Sequence, residues 1–192
     1  YNAAFGGGAL DANTTAANNT ALGYKALTTN TTGADNTAVG YRALYNSTTG
    51  AENIAVGRTA LNANTTGAKN VAIGAYALDA NTTSNYQVAI GYNALGESLT
   101  HSVNADSYNV AVGHEAAKLL STGVRTTAIG GLAMQTGAIT GDDNTAVGAY
   151  AMRALSTGSD NTAVGAYAGV VQNTGSKNVS VGYSSNYKLT TQ

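Results

Sequence analysis

Two neighbouring segments of the chain share most of their residues and decide the fold. Residues 36–52 read NTAVGYRALYNSTTGAE, and residues 53–69 read NIAVGRTALNANTTGAK. Both open with Asn-x-Ala-Val-Gly, and the same Asn returns after 17 residues. A period this short predicts a β-solenoid, because helical repeats need more than about 30 residues for their helices.

Copies of the five-residue motif recur along the whole chain. Eleven copies are present, and their closing glycines lie 17 residues apart, except for one step of 22 and one of 18. The motif is imperfect where Gln87 or Thr126 replaces its Asn and where Ser180 replaces its Ala. We expect a structural ladder built from the motif residues Asn19, Asn36, Asn53, Asn70, Asn109, Asn144, Asn161, Asn178, Gly23, Gly40, Gly57, Gly74, Gly91, Gly113, Gly130, Gly148, Gly165 and Gly182.

The repeat also defines the domain organisation. Residues 1–192 are expected to form a single solenoid domain, interpreted as a fragment of a longer fibre because the chain begins at Tyr1 inside a repeat. The long step places a loop insertion at residues 97–109. Insertions in solenoids form loops and often carry the binding face, although neutral drift of a surface loop is the alternative.

Each coil is expected to contain one short strand and a return leg. β-branched residues favour a strand at Thr37–Val39, in which the first and third residues face one way and Ala38 the other. We expect Val39 to fill the inside of the coil and Ala38 to face outwards. Leu44 of the return leg closes the interior, and Asn-Thr-Thr-Gly turns the chain with Asn and Gly in left-handed backbone angles.

Stacking of these coils predicts an all-β, parallel β-solenoid. Parallel strands about 4.8 Å apart make eleven coils a rod of roughly 50 Å, in which the motif asparagines lie one above another. One coil offers few large apolar residues, so we expect burial against other chains in a homotrimer. An outward Ala38 would mark that contact, and Ala38→Leu would then break assembly.

The motif and its continuation resemble a known class of repeats. Residues Asn36–Leu44 are similar to the head repeats of YadA-like trimeric autotransporter adhesins, and more similar to related β-roll repeats of bacteriophage tail fibres. The resemblance covers nearly the whole chain. It implies a left-handed, trimeric β-roll in an extracellular fibre of a virion or bacterial surface, which adheres to a glycan or protein receptor. Adhesin heads mostly use shorter coils, so the long Asn-Thr-Thr-Gly turn favours the phage-like fibre.

Composition argues against several other functions. Nine basic and ten acidic residues give a net charge of −1, which provides no electrostatic footprint for nucleic acid. The chain has no Cys, and no run of about 18 apolar residues that would insert into a membrane. Its carboxylates form no catalytic pair, and neither His101 nor Asp142–Asn144 has the ligand set of a metal site. We therefore expect no enzyme activity, cofactor or metal.

Aromatic residues supply the candidate binding surface. Tyr follows the motif Gly directly or one place later in seven copies, either for packing between coils and chains or as a strip that binds sugars. The insertion adds a histidine and a further tyrosine. The candidate residues are Tyr24, Tyr41, Tyr76, Tyr92, Tyr150, Tyr167, Tyr183, His101 and Tyr108.

Two other functions are compatible with a solenoid of this composition. An ice-binding protein would present flat ladders of threonine, but the doubled threonines here fall in the predicted turns, as at Thr31–Thr32. A carbohydrate-active β-helix enzyme would need a cluster of acids, which the sequence lacks. The fibre segment is therefore the favoured hypothesis.

Overall fold

The computed structural model describes residues 1–97, 106–171 and 173–187, and within them it contains eleven strands of three residues each. All strands belong to one parallel sheet in which the strand order follows the chain. This confirms the predicted all-β, parallel β-solenoid. The strands are β1 (Ala3–Phe5), β2 (Thr20–Leu22), β3 (Thr37–Val39), β4 (Ile54–Val56), β5 (Val71–Ile73), β6 (Val88–Ile90), β7 (Val110–Val112), β8 (Thr127–Ile129), β9 (Thr145–Val147), β10 (Thr162–Val164) and β11 (Val179–Val181).

The sheet keeps its register through both irregular steps. Each motif Ala pairs with the motif Ala of the next coil, as Ala38 does with Ala55. Ala89 pairs with Ala111 across the 22-residue step, and Ala128 pairs with Ala146 across the 18-residue step. The extra residues are therefore absorbed between strands. Most of the predicted insertion, residues 98–105, lies outside the described residues.

The predicted orientation of the strand residues is wrong. Ala38 is completely buried, whereas Thr37 and Val39 are partly exposed. The same arrangement holds from β2 to β11. The interior has room only for a methyl group on the strand side, because Ala43 and Leu44 of the return leg fill the rest of the coil and are themselves fully buried. Ala38 is thus a core residue and not a contact to another chain.

The return leg differs from a strand. Ala43 and Leu44 are adjacent and both face inwards, which strand alternation forbids. The backbone turns instead, with left-handed φ angles of 54° at Arg42 and 51° at Leu44. A third left-handed residue, Asp35, precedes the motif Asn. Asn30 and Gly33 of the Asn-Thr-Thr-Gly turn are not left-handed, so the left-handed angles lie elsewhere in the coil than predicted.

The motif glycines stack closely along the rod. Gly40 has a φ of 134°, which side chains disfavour, and a Cβ at this position would lie 2.5 Å from the carbonyl oxygen of Gly57 in the next coil. The other stacked motif glycines from Gly6 to Gly165 have the same left-handed backbone. Both the angle and the contact require glycine at the end of each strand.

The motif asparagines form a polar ladder inside the coils. The amide oxygen of Asn36 accepts a hydrogen bond from the backbone N–H of Asn53 (3.0 Å), and the Asn53 amide nitrogen donates to the carbonyl of Gly67 (2.9 Å). Each buried amide thus satisfies the backbone of two chain segments. Side-chain atoms Gln87 Oε1 and Thr126 Oγ1 are buried without a partner among the described residues, so the ladder is interrupted where the motif is imperfect.

Candidate interaction surfaces

The outward side of the sheet exposes large apolar side chains in most coils. We define the strand face as the first and third residues of each strand. Ile54, Ile73 and Ile90 on it are 41%, 39% and 38% exposed, although aliphatic side chains of this size usually lie in a core. Thr, Val, Ile or Leu occupies the first and third positions of every strand from β2 to β11. The strand face is therefore a continuous, mostly apolar strip along the rod.

Two edges flank the strand face. We define the leading edge as the residue directly before each motif Asn, and the trailing edge as the residues one, two and five places after each motif Gly. Each coil takes the number of its strand, so that coil 4 contains β4, and this strand separates the two edges of the coil. Leading-edge residues such as Asp35 have a left-handed backbone, which turns the chain into the strand.

Seven of the predicted tyrosines lie on the trailing edge and contact one another between coils. Tyr24 and Tyr41 stack with ring centroids 5.7 Å apart and 17° between ring planes. Tyr150 and Tyr167 stack more closely, at 4.8 Å and 7°. Edge-to-face contacts and a stacked His114 complete the strip. Its members are Tyr24, Tyr41, Tyr76, Tyr92, Tyr150, Tyr167 and Tyr183.

Stacking changes what the tyrosine strip offers a ligand. A sugar ring packs on an open aromatic face, but in each stacked pair one ring covers a face of the next. Tyr24 and Tyr41 are nevertheless about half exposed, at 52% and 46%. The strip therefore stabilises the stack of coils and also presents ring edges and hydroxyl groups to solvent.

Three cations accompany the strip in consecutive coils. The Arg42 guanidinium lies 4.2 Å from the centroid of the Tyr45 ring, the Lys25 ammonium lies 5.5 Å from that of Tyr24, and Arg58 contacts Tyr76. Within the described part of the chain, ion pairs are formed by Lys118 and Arg125 but not by these three cations. The trailing edge of coils 2–4 is consequently a basic, aromatic surface.

Tyr108 does not belong to the tyrosine strip. It lies on the leading edge, where its ring stacks on Tyr86 at 5.1 Å and 12°. Tyr86 was not among the predicted residues, although both tyrosines directly precede a motif position and stand 22 residues apart, like the coils that carry them. The other insertion residue predicted to bind, His101, lies outside the described residues.

An ion pair occupies the leading edge of coils 8 and 9. Arg125 donates two hydrogen bonds to Asp143, from Nε to Oδ1 at 2.7 Å and from Nη2 to Oδ2 at 2.8 Å. Asp142 lies 3.8 Å from the same guanidinium. The hydrogen bonds from Arg125 lower the pKa of Asp143 below its ordinary value. These acids thus bind a cation of their own chain.

We expect the Arg125→Gln variant to raise the pKa of Asp143 back towards its ordinary value, because the neutral amide stabilises the carboxylate less. The present, lowered pKa makes the pair stabilising above the unfolded-state pKa of Asp, and this contribution is lost as the pH falls through the folded-state pKa. Carboxyl chemical shifts followed by NMR across acidic pH would measure the change. Arg58→Gln, five coils away, should leave the titration of Asp143 unchanged.

The residues that the structure describes contain no group of three His, Cys, Asp or Glu side chains that could hold a metal ion. In the same ranges, no helix is long and apolar enough to cross a membrane.

The paired threonines of the turns bond between coils, as Thr31 does by donating its hydroxyl to the carbonyl of Thr48 (3.1 Å).

Comparisons with family models, with curated proteins and with solved structures find no match to this chain. The fold and the surfaces described above therefore carry the functional argument alone.

Proposed function

We propose that this chain is a structural and adhesive segment of an extracellular, trimeric fibre, either a phage tail fibre or a bacterial surface adhesin with left-handed coils. The observation that carries the proposal is the strand face. It exposes a row of β-branched and aliphatic side chains along the entire rod, with isoleucines about 40% exposed in three successive coils, β4 to β6. Exposed apolar surfaces of this extent mark interaction sites.

A parallel trimer would bury the strand faces of all three chains. Three rods with a common axis bring their strand faces together around that axis, so that Val56, Ile73 and Ile90 of each chain surround an apolar centre. This burial supplies the large apolar contacts that a single coil lacks, since its own interior holds mainly Ala and one Leu or Met. The turns remain on the outside, and the two edges lie at the boundaries between neighbouring chains.

Adhesion follows from repetition. Three chains present the tyrosine strip three times along the boundaries between chains, together with the turns. Weak contacts to a surface glycan or protein receptor then add up through multivalent binding. The rigid sheet fixes the distance between the receptor contacts and the rest of the fibre. We assign the segment no catalytic role.

Ice binding is less well supported. An ice-binding face would need an unbroken row of threonines on the flat sheet, and Thr20, Thr37, Thr127, Thr145 and Thr162 do face outwards. The row is interrupted in four successive coils by larger apolar residues, which are Ile54, Val71, Val88 and Val110. An apolar face favours contact with protein over contact with ice.

We expect the Ile73→Asp variant to be monomeric and to bind receptor-bearing cells weakly, because a charge in the apolar centre prevents assembly and removes multivalency. The trimer dissociation constant should rise at least about a hundredfold, the size of a central interface contact. Sedimentation equilibrium gives the mass, circular dichroism checks that the solenoid persists, and binding of labelled protein to a panel of bacterial cells gives adhesion.

A matched variant separates assembly from a general effect of charge. Thr66→Asp introduces the same side chain at an exposed turn of the preceding coil and should leave mass and cell binding unchanged. A wild-type chain that stays monomeric at every concentration would contradict the trimer. A wild-type trimer that binds no cell on the panel any better than the Ile73→Asp monomer does would contradict adhesion alone.

A further inference from the structure

The two edges of the rod carry opposite charges in the same coils. In coils 3 and 4 the leading edge is acidic and the trailing edge basic, and in coil 5 both signs are reversed together. No ion pair within the chain joins the members of each pair, and the strand of the coil lies between them. The pairs are Asp35 with Arg42, Glu52 with Arg58, and Lys69 with Asp79.

We propose that these opposite charges pair between neighbouring chains and hold every chain of the assembly at the same height. The inference rests on the trimer proposed above and specifies what sets its register. Within one chain, Glu52 attracts Lys69 along the leading edge and Arg42 attracts Asp79 along the trailing edge, which favours a change of sign on each edge separately. Such attraction does not require both edges to change sign at the same coil, as two surfaces that meet each other must. A ligand bound to one edge alone gives no reason for the other edge to change sign.

The rest of the described chain does not contradict this pattern. In coil 9, Arg153 lies on the trailing edge, but Asp143 on the leading edge is already bonded to Arg125 of its own chain, so this coil adds no further pair. In coil 7 the trailing-edge charges Glu115 and Lys118 lie 3.4 Å apart and neutralise each other, opposite the uncharged Tyr108. Among coils 2–11, within the described ranges, no coil has charges of the same sign on both edges.

Cyclic symmetry explains why the charges on the two edges of one coil must be complementary. Chains related by rotation about a common axis are not displaced along it, so coil 4 of one chain is level with coil 4 of the next. With the strand face turned to the axis, strands run around the ring in one sense. The trailing edge of one chain therefore meets the leading edge of its neighbour, which places Arg58 beside Glu52 of the next copy.

The level arrangement forms three opposite-charge pairs in coils 3–5 and no like-charge pair. A displacement by one coil one way places Arg58 beside Lys69 of the neighbour, although Lys25 then meets Asp35 and Arg42 meets Glu52. A displacement the other way places Asp79 beside Glu52, although Arg58 then meets Asp35. Both displacements therefore introduce a repulsive contact that the level arrangement lacks. Like charges in contact across an interface disfavour the wrong arrangement more than the right pairs add to affinity. The apolar strand face, which is nearly uniform along the rod, cannot provide this discrimination.

A charge-exchange cycle in coil 4 tests the inference. Glu52→Arg and Arg58→Glu are made singly and together, and the trimer dissociation constant is measured by sedimentation equilibrium at low and high salt. Each single variant places like charges opposite each other and should raise the constant about tenfold or more at low salt. The double variant exchanges the signs and should return to within about threefold of the wild type.

Two further measurements keep the interpretation specific. The same cycle in the monomeric Ile73→Asp background should show additive effects on the unfolding midpoint, because five residues separate positions 52 and 58, and the three in strand β4 alone span roughly 10 Å. Arg58→Gln removes the charge without reversing it and should have an intermediate effect. Because Gln is neutral, this variant also controls for a folding defect caused by the Glu of Arg58→Glu. High salt should reduce the single-variant effect.

The outcomes distinguish this inference from the proposed function. A wild-type trimer whose single variants assemble as well as their combination would overturn the register role while leaving the trimer intact. Loss of binding to a sulfated polysaccharide in the Arg58→Glu variant, with an unchanged trimer, would overturn it too and assign the cations to an anionic ligand. A wild-type chain that never assembles would remove the trimer itself.

Discussion

Replacement of Asn53 with Ala should lower the free energy of unfolding by about 1–3 kcal/mol, since one buried backbone group would be left without its partner. The backbone N–H of Asn70 would lose the Asn53 amide oxygen at 3.0 Å, whereas the carbonyl of Gly67 would lose the Asn53 amide nitrogen at 2.9 Å but keep that of Asn64 at 3.0 Å. Asn53 is completely buried, so water cannot replace these contacts without opening the coil.

Urea unfolding followed by circular dichroism measures the loss. Asn46→Ala is the matched control, because Asn46 is only partly buried and its backbone is not left-handed. We expect the control to change the free energy of unfolding by no more than about 0.5 kcal/mol. Equal effects of the two variants would show that the interior ladder contributes nothing beyond a partly buried amide.

Ala38→Leu should destabilise the chain by about 3 kcal/mol or more, at the upper end for overpacking, whereas Val39→Leu should change stability by less than about 1 kcal/mol. The two positions are adjacent in β3 but face opposite ways, and only Ala38 is completely buried. Leu44 from the return leg already occupies the space into which a larger side chain at position 38 would extend. Thermal unfolding of both variants, measured at the same protein concentration, compares them directly.

The mass of the folded protein gives a second criterion for the same pair. If Ala38 faces the core, Ala38→Leu lowers the unfolding midpoint even in the monomeric Ile73→Asp background. If Ala38→Leu leaves the Ile73→Asp monomer as stable as before and only prevents the otherwise wild-type chain from assembling, Ala38 would instead be a contact between chains. Greater destabilisation by Val39→Leu than by Ala38→Leu would contradict the observed orientation of the strand.

The period, the strands and the buried leucines could be predicted from the sequence, because they depend on spacing alone. The strand orientation was predicted wrongly, although the sequence contains the signal. Asn36 and Ala38 are two residues apart and must share a face, so a buried asparagine ladder requires a buried alanine. Size was the misleading criterion, since the larger Val39 was assigned to the core without considering how much space Leu44 had already filled.

The surfaces were less predictable than the fold. The tyrosine strip followed from counting residues after each glycine, but its stacking geometry depends on rotamers that spacing does not determine. The strand face was missed because its residues had been assigned to the interior. Tyr86 was overlooked because Tyr108 was assigned to the insertion, although both tyrosines directly precede a motif position and their rings stack.

The unbroken register across the 22-residue and 18-residue steps has a consequence for how such rods change over time. Because added residues are accommodated between strands, a whole 17-residue unit can be gained or lost without altering the cross-section of the molecule. Each such event would lengthen or shorten the rod by about 4.8 Å, the spacing of neighbouring strands. In the proposed fibre, recombination between near-identical gene segments would thus offer a graded way to adjust how far the tip stands from the particle or cell that bears it.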